Sequence, residues 1–252
     1  MTLAPVTLSN NLFLSSLTEA AAQILQPHLK LTRLDADETV YNQDDPILEV
    51  YFPLDCVLST VVIMNDGATM EVSMLGREGI AGISAALGDV KARNWTRVLI
   101  PGNAFIMSSQ ILNSLYLKHA ELQAPLLAAY RTLITQVSQR AVCNGRHTLL
   151  ARLATWLLMV GDRVGAAELR LTQDMIAQRL GSRRAGVTEA AQVLHRWQAI
   201  NYKRGHIQIS DPSALEHVAC ECYQTHKSEF YGSRIAGGGQ STQYFNTIEV
   251  RR

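Results

Sequence analysis

The chain has 252 residues, of which 47% are hydrophobic and 18% charged, so it can bury one large core or two smaller ones. It has no run of roughly 18 uncharged apolar residues and no charged start followed by an apolar segment. We therefore expect no membrane span, no secretory signal and a cytoplasmic location. The formal net charge is +1, but residues 1–146 sum to −3 and residues 147–252 to +4. A local positive excess is typical of surfaces that neutralise phosphates.

The first half of the chain changes from helical to strand-like patterning. Residues 12–29 predict a helix with Pro27 near its end. Residues 30–108 hold short β-rich runs at 39–41, 49–52, 57–63, 70–74, 97–100 and 104–107, with turn sequences at 44–46 and 65–67. Short strands at this spacing predict a small barrel or double sheet. The apolar face of the helix is formed by Leu14, Leu17, Ala21, Ile24 and Leu25.

Helical patterning returns from about residue 110 and continues through residue 158. Within it, Leu127, Tyr130, Ile134, Val137 and Ala141 alternate steps of three and four, as in the seam of a coiled coil. A helix packed on a globular core would show the same pattern over so short a length. A further helix at 148–160 leads into residues 161–165, which are predicted to form a loop.

Residues 171–194 are the most informative stretch. Two amphipathic helices are separated by Gly181, whose positive backbone angle ends the first one. Thr172 is the predicted N-cap of the first helix and Ser182 that of the second. Arg183 and Arg184 begin the second helix, which is how a helix-turn-helix presents side chains to a DNA groove. The buried faces are predicted to be Ile176, Ala177 and Leu180, and Val187, Ala190, Ala191 and Leu194.

Two short strands at 199–209 follow this motif, around a turn at residues 203–205. A β-hairpin behind a helix-turn-helix makes a winged helix, with Arg204, Gly205 and His206 at the tip of the wing. The sequence at 211–213 caps a last helix that is predicted to run to about residue 225. The glycine-rich, polar segment at 237–243 is too polar to pack, so we expect a flexible tail.

Basic residues cluster in and around this motif. Between residues 169 and 206 the chain has seven Lys/Arg and two acidic residues. Such a patch fits phosphate binding, although a solvated helical face would look similar. The basic residues are Arg170, Arg179, Arg183, Arg184, Arg196, Lys203 and Arg204.

The four cysteines, Cys56, Cys143, Cys220 and Cys222, have no two-residue spacer of the kind found in zinc or redox sites. We therefore expect buried or free reduced thiols and no metal site. Redox sensing by Cys220 and Cys222 is the alternative.

The order of a β-barrel, a long helix and a winged helix resembles the Crp/Fnr family of bacterial transcription regulators. The resemblance covers roughly residues 11–225 and is most specific at 171–209. It implies an α+β fold with a jelly-roll, cyclic-nucleotide-binding-like sensor domain (11–118), a dimerisation helix (119–146), a winged helix-turn-helix domain (147–225) and a flexible tail (226–252). It also implies a homodimer that binds palindromic double-stranded promoter DNA and contacts RNA polymerase.

The resemblance also locates a ligand cassette. Members that bind cyclic AMP carry Gly-Glu at a short helix and Arg-Ser about ten residues later. In this sequence Gly82 and Arg93 match the family, whereas Ile83 replaces the glutamate and Asn94 replaces the serine. Ser138 aligns with a position that touches the base. Because Ile83 removes the partner of the ribose hydroxyl, usual cyclic AMP binding is disfavoured.

The effector is therefore left open. Another nucleotide, another small molecule and a ligand-independent barrel all fit the cassette. An iron–sulfur cluster is not expected because no cysteine precedes Cys56. Haem is not expected because residues 31–118 contain no histidine.

For the DNA surface, the resemblance aligns Arg184 with an arginine that contacts guanine, where the guanidinium fork suits two acceptors. Glu189 lies one turn further on, where it would accept from cytosine or orient Arg184. The family often has Glu at the position of Ala185 and Arg at that of Glu189, so its best-known operator is not assumed. Thr188 and Ser182 are assigned to phosphate or a thymine methyl, and Arg183, Arg196, Arg204 and His206 to phosphate. Thr172, Gln173 and Gly186 complete the predicted surface.

Two alternative functions have less support from the sequence than a DNA-binding regulator. An enzyme is disfavoured because the sequence has no phosphate-binding glycine loop, nucleophile elbow or His-Glu metal motif. A cyclic-nucleotide module whose winged helix binds protein is the other alternative, but such a surface is more often apolar than basic.

Overall fold

The computed structural model describes residues 7–203 and 205–232. It opens with a 3₁₀ turn at Leu8–Asn10, helices α1 (Leu12–Ser16) and α2 (Glu19–Leu25), and a second 3₁₀ turn at Gln26–His28. The single helix predicted for 12–29 is therefore wrong. Thr18 has extended backbone and its hydroxyl accepts a hydrogen bond from the Ala21 amide, so α2 begins there as a new helix.

Seven strands among the described residues form the N-terminal double sheet. One antiparallel sheet has the order β1-β7-β3 and the other the order β2-β6-β4-β5. Val50 and Phe52 of β3 and Leu58 of β4 are buried, which confirms the predicted jelly-roll-like barrel with its apolar interior. The strands are β1 (Lys30–Leu34), β2 (Thr39–Tyr41), β3 (Glu49–Pro53), β4 (Val57–Ile63), β5 (Thr69–Leu75), β6 (Trp95–Ile100) and β7 (Gly102–Ser108), with helix α3 (Ile83–Ala86) between β5 and β6.

Three helices connect the barrel to the C-terminal part: α4 (Ser109–Lys118), α5 (Ala120–Arg146) and α6 (Leu149–Val164). The continuous helix predicted for 110–158 is interrupted at His119 and at His147, both of which have extended backbone. The loop predicted for 161–165 is also wrong, because α6 continues to Val164. Gly161 stays helical and packs on the C-terminal sheet, where a Cβ would lie 3.0 Å from the Cδ1 of Ile209.

The C-terminal part is a winged helix-turn-helix. Strand β8 (Glu168–Arg170), helices α7 (Gln173–Leu180) and α8 (Arg184–Arg196), and strands β9 (Ile200–Lys203) and β10 (His206–Ile209) follow in order. The predicted hairpin of β9 and β10 is confirmed, and β8 joins it in an antiparallel sheet of order β8-β10-β9.

The end of the chain differs from the prediction. Asp211 caps α9 (Pro212–Val218) as predicted, but Ala219 has extended backbone and a second helix, α10, runs over Cys222–Gly232. Helix α10 thus passes residue 226, where the flexible tail was predicted to begin. The remaining residues of that tail, 233–252, lie outside the described residues.

Buried polar contacts fasten the barrel to the helices behind it. The carboxylate of Glu71 on β5 accepts from Arg140 of α5 at 3.0 Å, from Trp156 of α6 at 2.8 Å and from Ser59 of β4 at 2.5 Å. A second buried ion pair joins Glu78 to Arg163 of α6 at 2.7 Å. In the part of the chain that the structure describes, no helix has the length and hydropathy to cross a membrane.

Candidate DNA-binding surface and sensor cavity

The helix-turn-helix has the predicted local geometry at its first helix and its turn. The Thr172 hydroxyl accepts from the Met175 amide at 3.2 Å, which caps α7. Gly181 ends this helix with φ +57°, the left-handed conformation that favours glycine. The predicted apolar faces are all buried: Ile176, Ala177, Leu180, Val187, Ala190, Ala191 and Leu194.

Ser182 does not cap α8, so that prediction is wrong. Its amide donates to the Ala177 carbonyl at 3.0 Å, which makes Ser182 part of the turn that closes α7. Arg183 occupies the N-cap position of α8 without a side-chain cap. The Ser182 hydroxyl is buried and has no hydrogen-bond partner among the described residues, so it does not lie on the outer surface.

The outer face of α8 carries the predicted charged residues. Arg183, Arg184, Glu189 and Arg196 are exposed. A nitrogen of Arg184 lies 3.1 Å from the Asp174 carboxylate, and both side chains remain more than half exposed. Asp174 of α7, rather than Glu189, is thus the partner that orients Arg184 in this structure.

Thr188, Gln173 and Gly186 serve the packing of the motif. The Thr188 hydroxyl lies 2.7 Å from the Gln173 side-chain oxygen and so joins α8 to α7. A Cβ on Gly186 would lie 2.9 Å from Leu149 of α6. Gly186 therefore lies against α6, where a larger side chain would need Leu149 to move.

The wing presents polar side chains beside α8. His206 pairs with Lys203 across the hairpin, both are exposed, and the His206 Nδ1 lies 3.2 Å from the Glu168 carboxylate. Gly205 turns the chain with φ +82°. Arg204, which was predicted to contact phosphate, lies outside the described residues.

Arg179 does not belong to the exposed basic patch. Its side chain is buried, and burial lowers the pKa of its guanidinium. The patch that the structure leaves exposed consists of Arg170, Arg183, Arg184, Arg196 and Lys203.

A cavity of about 410 Å³ lies between the barrel and α5. Four of the five predicted ligand residues line it, and Ser138 does not. The predicted seam residues Tyr130, Ile134 and Val137 form part of its wall on the α5 side. The four cassette residues are Gly82, Ile83, Arg93 and Asn94.

The cassette residues pack against apolar side chains and offer few free polar groups for a ribose phosphate. Gly82 has φ +78°, and a Cβ there would collide with the Tyr41 hydroxyl. Ile83 is buried in the apolar core between the barrel and the helices that pack on it. Both Nε and Nη2 of Arg93 donate to the Asp89 carboxylate, at 3.1 and 2.9 Å. This pairing raises the pKa of Arg93.

The seam of α5 is divided between the cavity and the surface. Leu127 and Ile134 are 46% and 48% exposed, and Ala141 is exposed as well. Tyr130 and Val137 are half-buried. An apolar stripe therefore remains open on the outside of α5.

All four cysteines are free and buried, as expected. No metal site was predicted, but Cys143, Cys220 and Cys222 meet His147 with all ligand atoms within 4.8 Å of one another, an arrangement that could hold a metal ion. The spacing of the cysteines did not indicate this group because its two halves are about 75 residues apart in sequence. The available signal was Cys143 and His147, which are one helical turn apart.

Comparison with known proteins agrees with this architecture. A profile of the Crp-like helix-turn-helix domain matches residues 151–218. No curated protein matches the chain. The solved structure of FixK2 from Bradyrhizobium japonicum has 18% identity and a TM-score of 0.66, over 76% of this chain and 98% of that one.

Two further solved structures share the fold. A protein described as a transcriptional regulator of the Crp/Fnr family from Eubacterium rectale has 17% identity and a TM-score of 0.66, over 83% of this chain and 98% of that one. TTHB099, a CRP-family transcriptional regulator from Thermus thermophilus, has 18% identity and a TM-score of 0.64, over 75% and 96% of the two chains. Residues 151–218 therefore match the Crp-like helix-turn-helix domain, and the chain has the fold of solved Crp/Fnr-type transcriptional regulators.

Proposed function

We propose that the chain is a homodimeric regulator that binds double-stranded promoter DNA through α8 and its wing, under control of the sensor cavity, and that it contacts RNA polymerase. The observation that carries this proposal is the exposed basic face of the helix-turn-helix. Arg183 and Arg184 stand at the start of α8, whose opposite face is buried. The proposed role is regulatory and requires no catalysis.

Arg184 is the base-reading residue in this proposal. Its guanidinium is exposed and pairs with the Asp174 carboxylate, an acceptor that a guanine edge would replace. Arg183, Arg196, Lys203, Arg204 and His206 are assigned to phosphate contacts, which hold the register without reading sequence. Glu189 is assigned to a neighbouring base.

We propose that the cavity does not bind cyclic AMP in the usual way and that its effector is another molecule. Ile83 offers no acceptor for a ribose hydroxyl, and the guanidinium of Arg93 is engaged by Asp89. A ligand with an anionic group would have to compete with Asp89 for Arg93. An apolar ligand would use the wall that Tyr130 and Val137 provide.

Selection of a binding site from random duplex DNA, followed by anisotropy titration of Arg184→Ala, tests the proposal. We expect the variant to bind the selected site about 5- to 150-fold more weakly, a loss of about 1–3 kcal/mol, and to lose preference at one base pair of each half-site. The half-sites should lie about 10–11 base pairs apart. Affinity of the wild type should fall steeply as salt increases.

Arg33→Ala is the matched control, since Arg33 is an exposed arginine of the barrel with a long ion pair to Asp35 at 3.8 Å. It should bind the selected site as the wild type does. Equal losses for Arg184→Ala on selected and random DNA would contradict base reading. If the wild type selects no DNA, the winged helix has another role, such as protein binding.

A further inference from the structure

Three thiols and one imidazole converge where α5 ends. Cys143 lies in the last turn of α5 and His147 directly follows the helix, whereas Cys220 and Cys222 stand on either side of Glu221 at the start of α10. Their ligand atoms all lie within 4.8 Å of one another. The three cysteines are buried, and 18% of the His147 side chain is exposed.

The separations fit a tetrahedral ion. The Sγ atoms of Cys143 and Cys220 are 3.5 Å apart, and the Sγ of Cys222 lies 3.5 Å from the Nδ1 of His147. Zinc with bonds of about 2.3 Å to sulfur and about 2.0 Å to nitrogen requires about 3.8 Å between two sulfurs and about 3.5 Å between sulfur and nitrogen. These two pairs need shifts of a few tenths of an ångström to hold one ion, and the other pairs, which lie within 4.8 Å, need shifts of up to about 1 Å.

Hydrogen bonds around the group orient its ligand atoms. The Nε2 of His147 lies 3.2 Å from the Glu221 carboxylate, which leaves Nδ1 to face the thiols. Gln139 donates its amide to the Sγ of Cys222 at 3.0 Å. The Thr155 hydroxyl lies 3.1 Å from the Sγ of Cys220. A histidine ligand held by a carboxylate, with hydrogen bonds to thiolates, is the usual surrounding of a metal site.

Positive charge nearby would balance the anionic ligands. Half-buried Arg152 interacts electrostatically with Cys143 and Cys220. Three thiolates and a divalent ion leave one net negative charge, which a guanidinium compensates.

A disulfide explains the group less well. The sulfurs of Cys143 and Cys220 would have to close from 3.5 Å to about 2.05 Å, and this bond would leave Cys222 and His147 without a role. A single ion uses all four side chains.

We propose that Cys143, His147, Cys220 and Cys222 form a closed, four-ligand site for a thiophilic divalent cation, with Zn²⁺ as the ion it fits best. Because the protein supplies all four ligands, the site is structural. It fastens the end of α5 to the start of α10, across the junction at His147 between α5 and α6. The site therefore holds the winged helix-turn-helix in a fixed position relative to α5.

Metal analysis of the full-length chain tests the site. Protein purified under reducing conditions, without a metal-affinity tag or chelator, should contain about one zinc per chain. After removal of the metal, the protein should bind one equivalent of Co²⁺. The absorption spectrum should then show the intense visible bands of a tetrahedral site together with charge transfer from the thiolates. Cys222→Ser should lose the metal, while Cys56→Ser, which changes the cysteine of the barrel, should keep it.

Glu221→Gln tests the surroundings without risk to the fold, because the Glu221 side chain is 80% exposed. We expect its Zn²⁺ affinity, measured by competition with a chelator, to fall about 10- to 100-fold. Glu121→Gln, at an exposed position near the start of α5, should match the wild type. Full zinc content in Cys222→Ser, or reduced wild type that takes up neither Zn²⁺ nor Co²⁺, would overturn the proposal. A Cys143–Cys220 disulfide without metal uptake after reduction would replace it by a redox role.

Discussion

His226 of α10 is a buried, neutral side chain that makes stability depend on pH. Burial, with further contributions from Arg163 and Arg140, lowers its pKa from 6.5 to about 4. The unfolded chain takes up a proton at His226 below pH 6.5, whereas the folded chain does not until about pH 4. The free energy of unfolding should therefore fall as pH decreases from 6.5 to 4, by up to about 3 kcal/mol.

The measurement is urea unfolding of the wild type and of His226→Gln at pH values from 4 to 7.5. The difference between the two curves isolates His226 from other acid-sensitive groups, including any bound metal. The free energy of unfolding of the wild type should fall relative to that of His226→Gln as the pH falls. A constant difference across this range would show that His226 titrates in the folded protein as it does in the unfolded one.

At the scale of the element, the open side of α5 predicts dimerisation. Leu127 and Ile134 are about half exposed and lie two turns apart on one stripe. Pairing with a second copy would bury them, at about 25 cal/mol per Å² of apolar surface. Leu127→Glu with Ile134→Glu should therefore shift the protein from dimer to monomer in sedimentation velocity.

Leu117→Glu is the control for this prediction, because Leu117 is 67% exposed but belongs to α4. It should leave the oligomeric state unchanged. If the double variant sediments as the wild type does, α5 is not the dimer interface.

At the scale of the whole molecule, the buried carboxylate of Glu71 joins the barrel to α5 and α6. Glu71→Gln would leave the guanidinium of Arg140, which is 4% exposed, without its counter-charge. Removing one member of a buried ion pair costs about 3–5 kcal/mol. We expect a loss of this size in the free energy of unfolding, measured in urea.

Asp89→Asn provides the comparison, because it breaks the exposed pair with Arg93. Solvent screens such a pair, so its removal should not change stability measurably. Equal effects of the two substitutions would mean that Glu71 is not a structural link.

Local patterns predicted the elements well. Alternating runs indicated β2 and β4 with the bounds that the structure has, and the spacing around Gly181 predicted both helices of the helix-turn-helix. These features depend on neighbours within a few residues. Periodicity and a positive φ at a glycine are therefore enough to detect them.

The features that the sequence did not predict depend on tertiary contacts. Gly161 was expected in a loop but packs on Ile209, and Arg179 was expected at the surface but is buried. The Cys143 and Cys220 sulfurs meet across 77 positions of sequence. No local pattern encodes such a contact.

Strand β5 contacts both the cavity and the helix-turn-helix. Val72 and Ser73 line the cavity between the barrel and α5, while Met70 of the same strand packs against Gly181 at the turn of the helix-turn-helix. Two positions of one strand thus separate a side chain at the cavity from a side chain at the turn. If an occupant of the cavity displaced β5, we expect Met70 to carry the displacement to Gly181, and α5 to follow because Asn144 contacts Met70 and Arg140 contacts Glu71.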